Sequence, residues 1–230
     1  MRGPATTSGR LLEPDPLRGE PTLDRVHRSI DAYYSARAVR FGATPAGADW
    51  TCIASQQMRF VQLLRLCGAS MSFSLIDLGC GYGALLDLLH DRYAPGAIDY
   101  LGVDLSGAMI SLGQRRWLGS ETVRVVMGSV ALRRADYAVA SGTFNVKLGH
   151  STKSWETFIA TTLDGLAACS RKGFAVNFML PAPPGIHLKA GLYTTGPEPW
   201  AEYCRHTFNA EVHVRSDYGL REFTLIVRPS

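Results

Sequence analysis

The chain has 230 residues, 46% of them hydrophobic and 19% charged, with a formal charge of +4. This length fits one α/β domain with appendages better than two full domains, and the composition excludes a disordered polymer. So mild a charge gives no ground for a nucleic-acid partner, because the basic doublets Arg115-Arg116, Arg133-Arg134 and Arg171-Lys172 are scattered, as solvated helix ends and loops are.

Residues 1–21 hold prolines, glycines and mixed charges without an apolar period, and read as a flexible tail. Residues 22–40 place Val26, Ile30, Tyr33, Tyr34 and Ala38 near helical spacing. A Gly/Pro loop ending at Trp50 leads to a second amphipathic helix over 51–67, with Ile53, Phe60, Leu63, Leu64 and Cys67 on or near one face. From residue 73 short apolar runs alternate with helical segments. Strands are expected over 73–79, 98–106, 122–128, 135–142 and 173–179. Helices are expected over 84–93, 107–118, with Ser106 as N-cap, and 153–169. Such alternation implies parallel βαβ units. A helix over 198–208 follows, and then two strands around "SDYG" that read as an antiparallel hairpin. The expected fold is α/β: a doubly wound, seven-stranded, mostly parallel sheet with a C-terminal antiparallel hairpin, plus N-terminal helices.

The five cysteines lie at 52, 67, 80, 169 and 204, with no pair at zinc-ligand spacing, so no metal site is expected. An odd count suits free thiols in a reducing compartment. With no signal-peptide pattern and no apolar run of membrane-spanning length, the expectation is a cytoplasmic protein without a membrane partner. The oligomeric state stays open.

The first strand of the α/β part ends in "LIDLGCGYG", residues 75–83. In an open α/β sheet ligands sit at the carboxyl ends of the strands, and glycines let the backbone come close to them. Asp104, at the end of the next strand, can accept hydrogen bonds from ribose hydroxyls. A dinucleotide fingerprint is spaced G-x-G-x-x-G and leaves the helix N-terminus bare for a pyrophosphate. Here the spacing is G-x-G-x-G with Asp77 two residues upstream. A carboxylate there repels a pyrophosphate but can serve an ammonium group. That combination suits S-adenosylmethionine (SAM).

These residues, followed by "GVDLSGAMI", resemble motif I and the acidic motif of the Rossmann-like (class I) SAM-dependent methyltransferases, and the resemblance runs from about residue 50 to 228. The opening "YYSARAVRFGATPAGADW", "ASGTFNVK" and "DYGLREFTLIVR" also resemble small bacterial members, a set that implies no single substrate. The resemblance implies residues 22–70 as a helical cap and 71–230 as the SAM-binding domain. It implies Asp77, Gly79, Cys80, Gly81 and Gly83 at the methionine part of SAM, Asp104 at the ribose, and Leu105 and Met109 at the adenine. Gly128, Ser129 and Val130 fall at the adenine edge, where relatives often carry Asp in the place of Ser129. Ser141 falls beside the sulfonium. Cys80 has no His or Lys neighbour in sequence and reads as a packing residue, not a nucleophile.

Methyl transfer needs an acceptor held in line, and sometimes a base. In "SGTFNVKLGH", residues 141–150, Asn145 is a candidate orienting residue and His150 a candidate base. In the Pro/Gly-rich 180–200 segment Tyr193 is a third catalytic candidate, and His187 a substrate contact. Tyr33, Tyr34 and Trp50 are candidates to line an acceptor pocket. The leading reading is a SAM-dependent methyltransferase acting on a small molecule, with a setting in specialised metabolism as the expectation. Two alternatives stay open: a SAM-using enzyme that attacks another sulfonium carbon and releases methylthioadenosine, and an RNA methyltransferase.

Overall fold

The computed structural model describes residues 22–230, so the expected tail at 1–21 lies outside the described residues. The element order is α1 (Thr22–Phe41), α2 (Ile53–Leu64), β1 (Phe73–Leu78), α3 (Leu85–Arg92), β2 (Ile98–Asp104), α4 (Gly107–Arg116), β3 (Val123–Met127), β4 (Ala135–Ala140), α5 (Thr152–Cys169), β5 (Ser170–Met179), α6 (Glu198–Phe208), β6 (Ala210–Arg215) and β7 (Glu222–Pro229). The seven strands form one sheet in the order β3-β2-β1-β4-β5-β7-β6. β1 pairs parallel with β2 and β4, while β7 runs antiparallel to both β5 and β6. The doubly wound sheet with its antiparallel hairpin is therefore the observed architecture.

Local chemistry sets the boundaries. Ser106 caps α4 by accepting from the Met109 N–H at 3.2 Å, and Ser151 caps α5 by accepting from Ser154 N–H at 3.1 Å. Asn209 ends α6 in the left-handed conformation, φ 47°, which its short polar side chain tolerates. Two spans differ from the sequence reading. The second helix stops at Leu64 and tightens into a 3-10 turn over Arg65–Cys67, a common way to end a helix. β5 begins at Ser170, earlier than expected, because the chain passes straight from α5 into pairing with Ala135 of β4.

Consecutive β1 residues face opposite sides of the sheet. Ile76 packs with Phe144, Trp155, Phe158 and Phe178, all on the α5 side, whereas Leu75 packs with Leu63, Leu85, Leu89 and Tyr100 on the α2–α3 side. Burying each of α2's Phe60, Leu63 and Leu64 contributes about 1.5–3 kcal/mol, which fastens α2 to that face. α1 packs against both α4 and α5, which follow β2 and β4. It thereby spans the edge of the sheet where the parallel strands end. Among the described residues no helix is long and apolar enough to cross a membrane.

Candidate functional site

The strand order reverses between β1 and β4, and a pocket opens there over the strands' carboxyl ends. The 79–83 loop forms its floor. Gly79 has φ +77°, and a Cβ on it would lie 2.7 Å from the Thr143 hydroxyl, so glycine is needed for both conformation and space. The Gly79 and Cys80 N–H groups donate to Val103 O at 2.7 and 3.2 Å, tying the loop to β2. Asp104 receives the Gly81 N–H on one carboxylate oxygen and the Ser106 N–H on the other, both at 2.8 Å. One side chain thus organises the glycine loop and the start of α4 together.

Asp77 is 3% exposed and accepts the Tyr100 hydroxyl at 2.7 Å. Burial pushes its pKa up to about 7, with the Asp104 charge adding to the rise and the Tyr100 bond opposing it. Burial also raises Asp104, while the Ser106 and Gly81 N–H bonds hold it down. The site thus concentrates carboxylate charge with no Lys or Arg in the described lining, an environment made for a cationic group.

Helices supply the rest of the wall. His27, Ile30 and Tyr34 of α1, Gln56 and Phe60 of α2, and Phe158 and Thr162 of α5 all line the pocket. Each set repeats at three or four residues, one helical face per element. Trp50 closes the side next to the loop after β4. Gly142, φ +69°, lies so close under it that a Cβ there would be 2.3 Å from the indole. Ser141 also lines the pocket, and its hydroxyl is buried with no hydrogen-bond partner among the described residues. A buried hydroxyl without a partner is costly unless a ligand supplies one. The left-handed glycine loop, paired acids, unpartnered Ser141 and apolar Leu105 and Met109 fit a SAM molecule, which supplies an activated methyl group when bound.

Of the residues singled out in the sequence, Asp77, Gly79, Cys80, Gly81, Asp104, Leu105, Met109, Gly128, Ser129, Ser141, Tyr34 and Trp50 line this pocket. Cys80 is buried, its Sγ within 2.8 Å of where a Gly102 Cβ would stand. Burial and the Asp104 and Asp77 charges push its thiol well above the ordinary range, so it fills space and is no nucleophile. Gly83 lies just outside the lining and packs against Trp117. Val130 turns away, exposed, beside a second hollow between α5 and the β3–β4 connection.

The three catalytic candidates, Asn145, His150 and Tyr193, are not among the residues that line this pocket. Asn145 is buried, and neither of its side-chain polar atoms has a hydrogen-bond partner among the described residues. His150 lies parallel to Trp155 at 6.4 Å, its pKa lowered by burial. Tyr193 is committed to the core: its hydroxyl donates to Glu156 and accepts from Trp200 Nε1, both at 3.2 Å. Tyr33 points to Asp49 at 2.6 Å, outside the lining, and His187 is exposed in the 180–200 segment. Sequence reading missed His27, Gln56, Phe60, Thr143, Phe158 and Thr162. For His27 the signal was the His27–Ile30–Tyr34 spacing. Burial lowers the His27 pKa, opposed by Asp24. Among the described residues no cluster of three His, Cys, Asp or Glu could hold a metal.

Residues 75–167 match the family model described as a methyltransferase domain. Rv1506c of Mycobacterium tuberculosis, a protein named as a methyltransferase, is 38% identical over 165 residues, 72% of this chain and 98% of its own. Among solved structures, magnesium protoporphyrin IX methyltransferase (ChlM) from Synechocystis with bound S-adenosylhomocysteine (SAH) superposes with a TM-score of 0.63 at 14% identity, over 90% of this chain and 99% of that one. A DhpI–SAM–HEP complex follows at 0.61 and 15% identity, over 89% and 98%. The CcbJ methyltransferase from Streptomyces caelestis reaches 0.54 at 14% identity, over 76% and 90%. At such identities the structures speak for the fold, while the family assignment rests on the M. tuberculosis relative together with the motifs above. The chain belongs to the class I SAM-dependent methyltransferases.

Proposed function

We propose that this methyltransferase acts on a small-molecule acceptor of specialised metabolism in the cytoplasm, where its five free cysteines stay reduced. In this reading residues 22–70 are a cap over a SAM-binding domain at 71–230. Asp104 holds the ribose, Asp77 faces the ammonium group, and Leu105 and Met109 flank the adenine. Ser129 stands at the adenine edge, and Ser141 offers its unpartnered hydroxyl near the sulfonium. The acceptor enters on the side of Trp50, Gln56 and Phe60, where an aromatic and an amide side chain can orient a small, largely apolar molecule.

One observation carries the reading: α1 and Trp50 roof the pocket, and its described lining holds no Lys or Arg. A roofed site without cations suits a small neutral acceptor and is unsuited to a phosphate backbone. The names of two neighbours point the same way, one acting on magnesium protoporphyrin IX and one solved with SAM and HEP.

The test is to incubate the protein with methyl-labelled SAM and, separately, fractionated small metabolites or total RNA. Label transfer into a small metabolite with release of SAH is expected. Label in RNA would overturn the acceptor class, and methylthioadenosine in place of SAH would overturn methyl transfer.

A further inference from the structure

Behind Trp50 lies a closed ring of contacts that includes no residue of the glycine loop or of the acidic segment after it. Arg59 of α2 donates from Nε and one terminal nitrogen to both oxygens of Glu222 at 2.6 Å, and from the other nitrogen to Ser55 O at 2.8 Å. Its guanidinium carbon stands 4.1 Å from the Trp50 ring centroid. The far edge of that indole rests against Gly142. The Gly142 N–H donates to Asn177 Oδ1 at 2.7 Å, and Asn177 Nδ2 donates back to Glu222 at 3.4 Å. The ring runs Trp50–Arg59–Glu222–Asn177–Gly142 and joins α2, β7, β5 and the loop after β4. Asn177 and Glu222 are 0% and 2% exposed and Arg59 8%.

Stability is a weak account of such an arrangement, because replacing a buried ion pair by apolar side chains of the same volume is often neutral or stabilising. What the pair supplies is orientation. A two-pronged carboxylate fixes the guanidinium plane, and a fixed guanidinium holds an aromatic ring over its face. Two ring members, Trp50 and Gly142, line the pocket; the other three do not.

We propose that Arg59 and Glu222 are positioning residues for methyl transfer. The buried pair holds Trp50 against Gly142 and so sets the wall that the acceptor meets, while Asn177 ties that wall to the backbone of the loop after β4. The inference rests on the proposed acceptor side of the pocket.

The experiment uses the full chain labelled with 5-fluorotryptophan, with SAH as the probe. The four tryptophans give separate fluorine signals, and Trp50→Phe identifies the relevant one. Arg59→Met and Glu222→Gln are each expected to lower the melting temperature, since each leaves a buried partner unmatched. Arg59→Met/Glu222→Met is expected to recover most of that loss, yet its Trp50 signal is expected to be displaced or broadened and to lose its response to SAH. If the double variant does not fold, Glu222→Gln carries the same comparison. A folded variant whose Trp50 signal and SAH response match the wild type overturns the inference and leaves the pair purely structural. Failure of the wild type to bind SAH would instead count against the pocket reading, and the ligand-free Trp50 signal would still decide whether the pair orders the indole.

Discussion

Asp77 is the residue whose environment makes the clearest demand. Its folded-state pKa of about 7 lies above the roughly 3.9 of an unfolded aspartate. Between those values the folded chain keeps a proton that the unfolded chain has lost. Stability from this group is therefore full below about pH 4, falls as the pH rises to about 7, and is level above. Melting curves from pH 5 to pH 8 should show the wild type losing more stability with rising pH than Asp77→Asn. An ammonium group beside Asp77 stabilises the ionised form, so SAH binding at pH 6 should release protons and tighten toward pH 8, a dependence absent from Asp77→Asn. Calorimetry in buffers of different ionisation enthalpy measures both. Gly142 makes a steric demand of its own. Gly142→Ala forces a side chain to φ +69° and into Trp50, costing about 1–3 kcal/mol from backbone strain alone. A melting temperature several degrees lower and weakened SAH binding are expected.

Among the elements, α1 and the 42–52 loop govern access. Asp49, φ +61°, accepts the Tyr33 hydroxyl at 2.6 Å and pairs with Arg37 at 3.0 Å, which pins the loop carrying Trp50 to α1. Ser35 meets Ser106 at 2.8 Å, so α1 also docks on the cap of α4. Asp49→Asn keeps an acceptor for Tyr33 and tolerates the left-handed backbone; it should cost no more than about 1 kcal/mol, the worth of a partly exposed ion pair. Asp49→Ala loses both partners and adds about 1–2 kcal/mol of left-handed strain. Hydrogen exchange at amides 44–50 should rise little in the first variant and strongly in the second. Equal exchange in the two would mean that the loop is held by packing alone.

Across the whole molecule, what could be read in advance followed from local rules. The strand–helix alternation, the glycine spacing and the acid at the end of β2 depend on neighbours in sequence, and they pointed to the sheet and to residues that share one pocket. Residues brought in by tertiary packing escaped. His27, Gln56 and Phe158 sit on helices whose apolar periodicity says that they bury a face, but not which residues look across at the loops. Nor does a sequence show that Tyr193 hydrogen-bonds Glu156 and Trp200, or that the His150 ring lies parallel to Trp155. The central claim, that the pocket over β1, β2 and β4 is the SAM site with Asp104 as its anchor, is tested most directly by titrating SAH into the wild type and Asp104→Ala. Losing a charged hydrogen-bond partner costs about 1.5–3 kcal/mol. The account predicts one SAH per wild-type chain and an affinity lower by about tenfold to a hundredfold in the variant. No binding to the wild type, or equal affinity in the two proteins, would contradict it.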